Sequence, residues 1–269
     1  MSKASSAAVR SFWEQNPLCA ARIPHPQGSR EFFAAFDQMR EAIDSPAQAA
    51  RIHEFHDFRG LKVLEVGCGN GYVLSRYAQH GAEVFGIDIS SPAVWLSRQR
   101  FAHMGLKGTF QEGDAEHLPF ADNVFDCVCS MGVLHHVPDT VRALSEIYRV
   151  LKPNGRLIVM FYHRNSALYQ INFRLKSWIT GKSRHLLLQE YDGVGNPKGE
   201  AYSRRGLACL LADFQDVNMQ LRHLRGHMIF PRIGKFIPQI LLKPLEKWWG
   251  FNLYAKARKP AQMAWKRAA

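Results

Sequence analysis

The sequence lacks the features that mark membrane-spanning and secreted proteins. No apolar run reaches the roughly 20 residues that a helix needs to cross a bilayer. The first eleven residues contain two cations and small side chains, with no apolar stretch of the kind found in a secretory signal sequence. We therefore expect a cytoplasmic protein.

Cysteine is scarce and its spacing is uninformative for disulfides or zinc. The five cysteines form neither a disulfide framework nor paired metal-ligand spacing: Cys19, Cys68, Cys127, Cys129 and Cys209. We predict reduced thiols and no metal site. Cys127 and Cys129 lie two residues apart in a predicted strand, so both should face one side as small core residues.

Acidic residues are nearly absent from the C-terminal part of the chain. The whole chain carries a formal net charge of +12, but the residues from Arg222 onward hold eleven lysines and arginines against a single acid, Glu246. That segment contributes +10 and leaves only +2 for everything before it. A basic surface of this kind can bind nucleic acid, anionic lipid or an acidic substrate, and charge alone does not separate these partners.

The hydrophobic pattern predicts an α/β protein. A chain of 269 residues with 46% hydrophobic content can bury one full-sized core. After Gly60, short apolar runs alternate with amphipathic segments, which is typical of a doubly wound, mostly parallel sheet. The predicted strands are 62–66, 83–87, 108–112, 124–130, 156–161, 217–221 and 252–258. The predicted helices are 31–40, 47–58, 73–80, 92–104, 140–151 and 204–213.

Four regions follow from this pattern. Residues 1–59 should form an N-terminal helical region and residues 60–161 the core of the sheet; the motifs and the family resemblance given below imply a lid and a cofactor-binding core for these two regions. Residues 162–202 break the α/β rhythm with mixed polar and aromatic residues and should form an insertion over the site. Residues 203–269 should complete the sheet and carry the basic segment.

A glycine-rich turn is the most specific motif in the chain. Glu65 precedes Gly67, Gly69 and Gly71 directly after a predicted strand, where glycine lets the backbone approach a ligand and adopt positive φ. Asp88 ends the next strand, where a carboxylate can accept both hydroxyls of a ribose. Together these residues predict a nucleoside pocket.

The spacing distinguishes this turn from a dinucleotide site. A dinucleotide fingerprint requires a third glycine three residues after the second, and the helix N-terminus then receives a pyrophosphate. Here the glycines alternate, position 72 is Tyr72, and Glu65 stands just before the turn. A carboxylate suits a cationic amino-acid head group better than a pyrophosphate.

At this point the chain resembles the class I S-adenosylmethionine-dependent methyltransferases, in particular the branch that includes ubiquinone-biosynthesis enzymes. The resemblance covers about residues 62–161 and rests on ordered motifs: residues 65–71, Asp88, the segment 113–120, Phe125-Asp126, the segment 134–139 and the turn at 151–155. It implies a seven-stranded Rossmann-like sheet and S-adenosylmethionine as cofactor. The cofactor contacts that it implies are Glu65, Gly67, Cys68, Gly69, Gly71, Asp88, Ile89, Asp114, Ala115, Met131 and His136. For Asp114, an ordinary turn residue after Gly113 is the alternative.

Histidines beyond the predicted strand ends are the candidate bases. Methyl transfer from a sulfonium requires the nucleophile to be held in line, and a base only if the nucleophile carries a proton. His135 is the preferred base, because the first histidine of this pair more often faces the substrate in similar enzymes, and His163 is the second choice. For His136, we favour a role in bracing the following helix over a role as base.

The substrate residues are predicted from aromatic side chains near the site. Trp13 lies in a segment that resembles a lid helix, and Tyr162, Tyr191 and Tyr202 flank or occupy the insertion. Ordinary packing or a plain surface loop is the alternative for each of them.

The expected function is methyl transfer to a small-molecule acceptor through an O-, N- or C-nucleophile. Nucleic-acid methylation is the main alternative, but the excess positive charge lies far in sequence from the motifs. A binding protein that has lost the chemistry is a second alternative, and use of the cofactor for intramolecular cyclisation of its aminobutyrate arm is a third.

One further expectation concerns the basic segment. Residues 230–238 and 241–249 combine cations, apolar residues and paired tryptophans, a composition that interfacial segments use on anionic membranes. Pro231, Pro238 and Pro244 argue against one continuous amphipathic helix. We favour a connector that packs on the sheet and keeps its lysines in water over a segment that makes peripheral membrane contact.

Overall fold

The computed structural model describes residues 4–17 and 23–261, so Cys19 lies outside the described residues. Eight strands form one sheet: β1 (Lys62–Val66), β2 (Glu83–Asp88), β3 (Thr109–Glu112), β4 (Phe125–Met131), β5 (Leu151–His163), β6 (Ala201–Tyr202), β7 (Gln215–Arg222) and β8 (Asn252–Arg258). The strand order is β3-β2-β1-β4-β5-β8-β7, with the short β6 paired to the end of β5. β8 runs opposite to the other strands, so its pairings with β5 and β7 are antiparallel.

Helices precede the first strand and connect the later ones. They are α1 (Ser6–Gln15), α2 (Arg30–Glu41), α3 (Pro46–His53), α4 (Tyr72–Gln79), α5 (Ser91–Met104), α6 (Thr140–Val150), α7 (Phe173–Thr180), α8 (Arg184–Gln189), α9 (Arg204–Leu210), α10 (Gly226–Ile229), α11 (Gln239–Leu242) and α12 (Glu246–Trp249). Within the described ranges, no helix is both long enough and apolar enough to span a bilayer.

Both faces of the central strands are buried, which explains their continuous apolar sequences. In β1, Val63 packs into one hydrophobic cluster, whereas Leu64 and Val66 pack into the cluster on the opposite face. Cys127 and Cys129 share the face of Val63. The predicted small core role of these two cysteines is therefore confirmed, and so is the doubly wound, mostly parallel sheet.

The structure departs from the predicted elements at three places. An eighth strand, β6, pairs through only two residues, which is too short for a periodicity to reveal. β5 begins at Leu151 and includes the predicted turn residues 152–155, with a register shift opposite Phe125 and a left-handed Asn154 (φ 61°). The predicted helix 47–58 is interrupted by Glu54, whose φ of 56° ends α3 before a separate 3-10 turn at 55–58.

The chain reaches one edge of the sheet repeatedly. The carboxyl ends of β1, β2 and β4 meet there, and β5 and β7 end at the same edge because both pair antiparallel with β8. The predicted insertion leaves from the end of β5 and contains α7 and α8. Parallel α/β sheets bind ligands at this edge.

Candidate functional site

A pocket of about 840 Å³, including open solvent at its mouth, lies at the carboxyl ends of β1, β2 and β4. Nine of the residues predicted from sequence line it: Trp13, Gly67, Gly69, Asp88, Ile89, Asp114, Ala115, Met131 and His136. Val9, Trp13 and Pro17 close one side, so α1 lies over the pocket. The predicted lid segment therefore contributes directly to the wall.

The glycine-rich turn is held in a conformation that leaves space at one glycine and none at another. Gly67 has a φ of 78°, and a Cβ there would lie 2.3 Å from Cγ2 of Val133. Gly69 has a φ of 55°, and a Cβ there would meet no atom within 4 Å. Gly67 thus packs against the protein, whereas Gly69 faces open pocket space.

Gly71 and Cys68 serve the structure beneath the pocket wall. Gly71 is the left-handed residue before α4, and a Cβ there would press on Ser97 at 3.2 Å. The Cys68 thiol is buried in the core and accepts a hydrogen bond from Ser97 Oγ at 3.5 Å. Neither side chain position is part of the pocket lining, so any cofactor contact of Gly71 or Cys68 would involve the backbone.

Asp88 is fixed by backbone donors. Gly69 N–H donates to Oδ2 at 2.9 Å and Ser90 N–H donates to Oδ1 at 3.0 Å. Burial raises the pKa of this carboxyl, and the backbone N–H groups of Gly69, Ser90 and Ile89 oppose that rise. The carboxylate is therefore oriented at the pocket wall, and each oxygen retains lone pairs for a ligand hydroxyl.

Glu65 lies behind the wall. It is 3% exposed, and its Oε2 has no hydrogen-bond partner among the described residues. Burial raises the pKa of Glu65 well above its ordinary value, and the charge of Asp88 raises it further, while Arg40 acts in the opposite direction. A buried acceptor without a partner is costly, which suits a group that a cationic ligand would complement.

Asp114 is a turn residue that also lines the pocket. Its Oδ1 accepts from Glu116 N–H at 2.9 Å, as a turn residue does, and the residue also lines the pocket beside Ala115. The turn therefore presents one polar and one small side chain to the same wall.

The structure places His136, and not His135, in the pocket wall. His136 Nδ1 lies 2.6 Å from the carbonyl oxygen of Lys198, and its ring contacts the Trp13 ring edge-on at 5.2 Å. Its Nε2 lies 3.4 Å from Oδ2 of Asp192. Burial lowers the pKa of His136, while Asp192 and the Lys198 carbonyl raise it.

The expectation that His135 faces the substrate is wrong in this structure. The side chain is fully buried, its ring lies 4.0 Å from the Tyr162 ring, and neither ring nitrogen has a hydrogen-bond partner among the described residues. Burial lowers its pKa well below the ordinary value. A 3-10 turn at 134–136 rotates successive side chains apart, so only one of the two histidines can face the pocket.

His163 is also placed away from the pocket. It is buried at the end of β5, and its Nδ1 lies 3.2 Å from the Gly250 carbonyl oxygen. Burial lowers its pKa. The residues just before β8 hold His163, since its backbone N–H also donates to the Phe251 carbonyl oxygen at 2.8 Å.

The three predicted tyrosines fall into two groups. Tyr162 donates to Asp192 Oδ1 at 2.7 Å, and its ring lies 6.0 Å from that of Tyr191, so both adjoin the His136 cluster. Tyr202 donates to Glu200 Oε2 at 2.6 Å and contacts Thr140 instead. None of the three lines the pocket itself.

Asp192, beside His136, and Val133, in the pocket lining, are two residues whose positions the motif reasoning missed. Asp192 stands in a turn-forming run with no distinctive spacing, and its position beside His136 depends on how the insertion folds back. Val133 is a plain aliphatic residue after β4 that lines the pocket and fixes Gly67. The fold of the insertion reveals the position of Asp192, and the contact of the loop after β4 with Gly67 reveals that of Val133.

The pocket fits a nucleoside carrying a cationic amino acid. Oriented Asp88 oxygens suit vicinal hydroxyls, the space at Gly69 suits close approach of a ligand, and the partnerless oxygen of buried Glu65 lies behind the same turn. S-adenosylmethionine combines these chemical groups. The fold and the pocket thus define an α/β protein of the class that binds this cofactor.

Comparison with known proteins agrees. Residues 64–159 match the family model described as a methyltransferase domain. A curated relative from Haemophilus ducreyi, the ubiquinone/menaquinone biosynthesis C-methyltransferase UbiE, is 37% identical over 111 residues, which cover 39% of this chain and 43% of that protein. The chain thus matches less than half the length of this relative.

Two solved structures share the fold over most of the chain. Magnesium protoporphyrin IX methyltransferase from Synechocystis PCC 6803, with bound SAH, has a TM-score of 0.64 and 17% identity, covering 95% of this chain and all of that one. The [4+2]-cyclase SpnF has a TM-score of 0.57 and 21% identity, covering 89% of this chain and 86% of that one. Residues 64–159 therefore match a methyltransferase domain, and most of the chain shares the fold of these two solved structures.

Proposed function

We propose that this protein transfers the methyl group of S-adenosylmethionine to a small-molecule acceptor. The observation that carries the proposal is the joint presence, in one pocket, of the oriented Asp88 carboxylate, the open position at Gly69 and the His136 ring. The first two would hold the cofactor. The third offers a proton acceptor beside it.

The cofactor contacts are assigned from position in the pocket. Asp88 would hold the ribose, Asp114 and Ala115 the adenine, and Glu65 with the Gly67 turn the methionine portion. Ile89 and Met131 would add apolar contacts from the lining. When bound, the cofactor supplies an electrophilic methyl group on a positively charged sulfur.

His136 replaces His135 as the proposed base. A carbonyl oxygen only accepts, so the contact with Lys198 requires the proton on Nδ1 and leaves the lone pair of neutral His136 on Nε2. Nε2 is buried and faces Asp192 in the structure, so we propose that the insertion shifts to uncover Nε2 before it takes the proton that an acceptor hydroxyl, amine or activated carbon releases. Asp192, held in turn by the Tyr162 hydroxyl, stabilises the resulting imidazolium.

The acceptor that this site favours is aromatic and lipophilic. Trp13, whose ring contacts that of His136, lines the pocket together with the apolar side chains of Val9, Val133 and Val137. The relatives' names place those proteins in ubiquinone and menaquinone biosynthesis, which supports an acceptor of related chemistry. Location in the cytoplasm belongs to the same proposal.

The pocket does not favour the nucleic-acid alternative. Its described lining contains neither lysine nor arginine, whereas an enzyme that holds an extruded base and its phosphates needs cations at the site. Asp88, Asp114 and His136 supply the polar groups instead. A small neutral acceptor is consistent with that lining.

Two labels on the cofactor test the proposal. The protein is incubated with an extract of its source cells and S-adenosylmethionine labelled either in the methyl group or in the aminobutyrate carbons. We expect only the methyl label to appear in a new small-molecule product, and Asp88→Ala to abolish it. Label from the aminobutyrate carbons in the product would contradict methyl transfer, and label in nucleic acid would contradict the acceptor class.

A further inference from the structure

An exposed apolar stripe follows the end of β5. Ile171, Leu175, Trp178 and Ile179 recur at the spacing of one helical face, and all four are exposed, Trp178 by 84%. The opposite side of the same segment is anchored by buried Leu168 and Phe173. None of the described residues covers this apolar stripe.

A second exposed apolar group lies between β7 and β8. Its members are Phe230, Ile233, Phe236, Ile240, Leu241, Trp248 and Trp249, of which Phe236 and Ile240 are 75% and 78% exposed. Buried Leu224, Met228 and Leu242 hold this segment from the inside. The outward direction of the apolar side chains is therefore part of the folded structure.

A close backbone crossing fixes the shape of that segment. A Cβ on Gly226 would lie 1.9 Å from the Gly234 carbonyl oxygen, and a Cβ on Gly234 would lie 2.0 Å from the Gly226 oxygen. Gly234 N–H also donates to Phe230 O at 2.8 Å. The loop that carries Phe230 and Ile233 is thus folded tightly on itself.

The two apolar groups adjoin one another. The turn at 168–172, which leads into α7, packs against α10, and Asn172 Nδ2 donates to the His227 carbonyl oxygen at 2.9 Å. Both segments also leave the sheet at its carboxyl edge, where the pocket lies. We call the exposed apolar residues of 171–179 and 230–249, with the cations between them, the basic apolar face.

The charge on this face has a single sign. Between positions 164 and 189 the sequence contains no acid, and between 217 and 261 the only acid is Glu246. Glu246 is buried, with Oε2 3.7 Å from Arg222 Nη1, so it does not reach the surface. The exposed cations of the face are Arg174, Lys176, Arg232, Lys235, Lys243 and Lys247.

Cations and aromatic rings alternate at close range on the face. Lys247 Nζ lies 4.1 Å from the centroid of the Trp248 ring, and Lys235 Nζ lies 5.0 Å from that of Phe236. Aromatic and aliphatic side chains partition into the headgroup region of a bilayer, while lysines bind anionic headgroups above it. Two copies of this chain would instead oppose cation to cation, which disfavours self-association through the face.

We propose that the basic apolar face binds the surface of an anionic membrane. No continuous amphipathic helix is needed, because α7 and the short helices α10, α11 and α12 together present the apolar residues. Since the face and the pocket occupy the same edge of the sheet, bound lipid would bring a lipophilic acceptor towards the pocket. That last step rests on the proposed function, whereas membrane binding does not.

Vesicle flotation tests the proposal. The full-length protein is mixed with vesicles of phosphatidylcholine alone, or of phosphatidylcholine with an equal amount of phosphatidylglycerol, at low and at high salt. We expect binding to the anionic vesicles only, weakened by salt. The variant Lys243→Gln with Lys247→Gln should lower the partition coefficient about 30-fold, whereas the matched variant Arg30→Gln with Lys107→Gln, exposed cations elsewhere, should not change it.

A second pair of variants tests the apolar contribution. Trp178→Ser with Phe236→Ser should lower partitioning at both salt concentrations, whereas Val141→Ser, an exposed apolar residue on α6, should leave it unchanged. Circular dichroism confirms that each variant is folded. Binding of the wild type to neither vesicle, equal loss in the control variants, or a stable dimer that shields Trp178 would overturn the proposal.

Titration of the same preparations with S-adenosylhomocysteine separates the two proposals. Loss of vesicle binding with intact cofactor binding would remove the membrane face and leave the proposed function. Vesicle binding without any cofactor binding would remove the proposed function and leave the membrane face.

Discussion

Asp192 Oδ2 lies 3.4 Å from His136 Nε2, which brings a carboxylate of the insertion against a histidine that follows β4. The opposite ring nitrogen is occupied by the Lys198 carbonyl at 2.6 Å, and the other Asp192 oxygen accepts from Tyr162. The ring is thus oriented from both sides. The base role proposed for His136 depends on these contacts with the insertion.

Replacing each of the two neighbouring histidines in turn separates their roles. His136→Ala should lower turnover by about 10²- to 10⁴-fold, because general-base assistance is typically of that size. His135→Phe should keep turnover, and it should preserve or raise stability, because a buried imidazole with no hydrogen-bond partner is replaced by an apolar ring. Steady-state kinetics measures the turnover of each variant, and thermal unfolding measures its stability. A greater loss of turnover in His135→Phe than in His136→Ala would reverse the assignment.

Asp192→Asn should shift the pH dependence of kcat/KM. The carboxylate raises the pKa of His136, so its neutralisation lowers that pKa. Because the proposed base acts in its neutral form, the acidic limb of the profile should move to lower pH. The profile is measured for the wild type and the variant. An acidic limb that stays in place or moves to higher pH would exclude this coupling.

The two glycines of the turn should respond differently to alanine. Gly67→Ala should destabilise the protein, since its Cβ would lie 2.3 Å from Val133 Cγ2. Gly69→Ala meets no protein atom, so its cost in folding is about 1 to 2 kcal/mol for the left-handed backbone. Its Cβ would occupy pocket space and should weaken cofactor binding by about 10-fold or more.

Thermal unfolding and calorimetric titration distinguish these effects. Gly69→Ala should fold well and bind poorly, whereas Gly67→Ala should already melt at a clearly lower temperature. Equal stability losses in the two variants, or normal cofactor affinity in Gly69→Ala, would contradict the role given to the turn.

Glu65→Gln should stabilise the cofactor-free protein while weakening cofactor binding. The pKa of Glu65 is raised in the folded state, so the folded state retains a proton that the unfolded chain releases. This costs stability progressively as pH rises from the ordinary carboxyl range towards the raised pKa. Glutamine removes the ionisable group, so the gain in Tm should be larger at pH 8 than at pH 5. The same small change at both pH values would argue that Glu65 is not titrating in this environment.

Much of the fold was predictable because local pattern and burial agree. The predicted bounds of β1 and β8 match the structure, since both strands are buried along most of their length and are bordered by turn residues. Asp88 and the turn at Gly67 were likewise placed together by strand order alone. β6 and the break at Glu54 were not, because two paired residues or one left-handed residue leave no periodic signal.

The orientation of the histidine pair could not be read from the sequence. His135 and His136 are adjacent and chemically identical, and a single 3-10 turn decides which of them faces the pocket. That turn is fixed by Lys198, Asn196 and Asp192, which belong to the insertion and carry no motif. Tertiary contacts with a segment of irregular structure therefore determine the candidate base.

The most direct test of the account is a calorimetric titration of S-adenosylmethionine into the wild type and Asp88→Ala. The account predicts one site per chain in the wild type. In the variant, affinity should fall by about 30- to 1000-fold with the fold intact, since the charged hydrogen bonds lost are worth roughly 2 to 4 kcal/mol. Unchanged affinity in a well-folded Asp88→Ala protein, or no binding to the folded wild type, would contradict the assignment of the pocket.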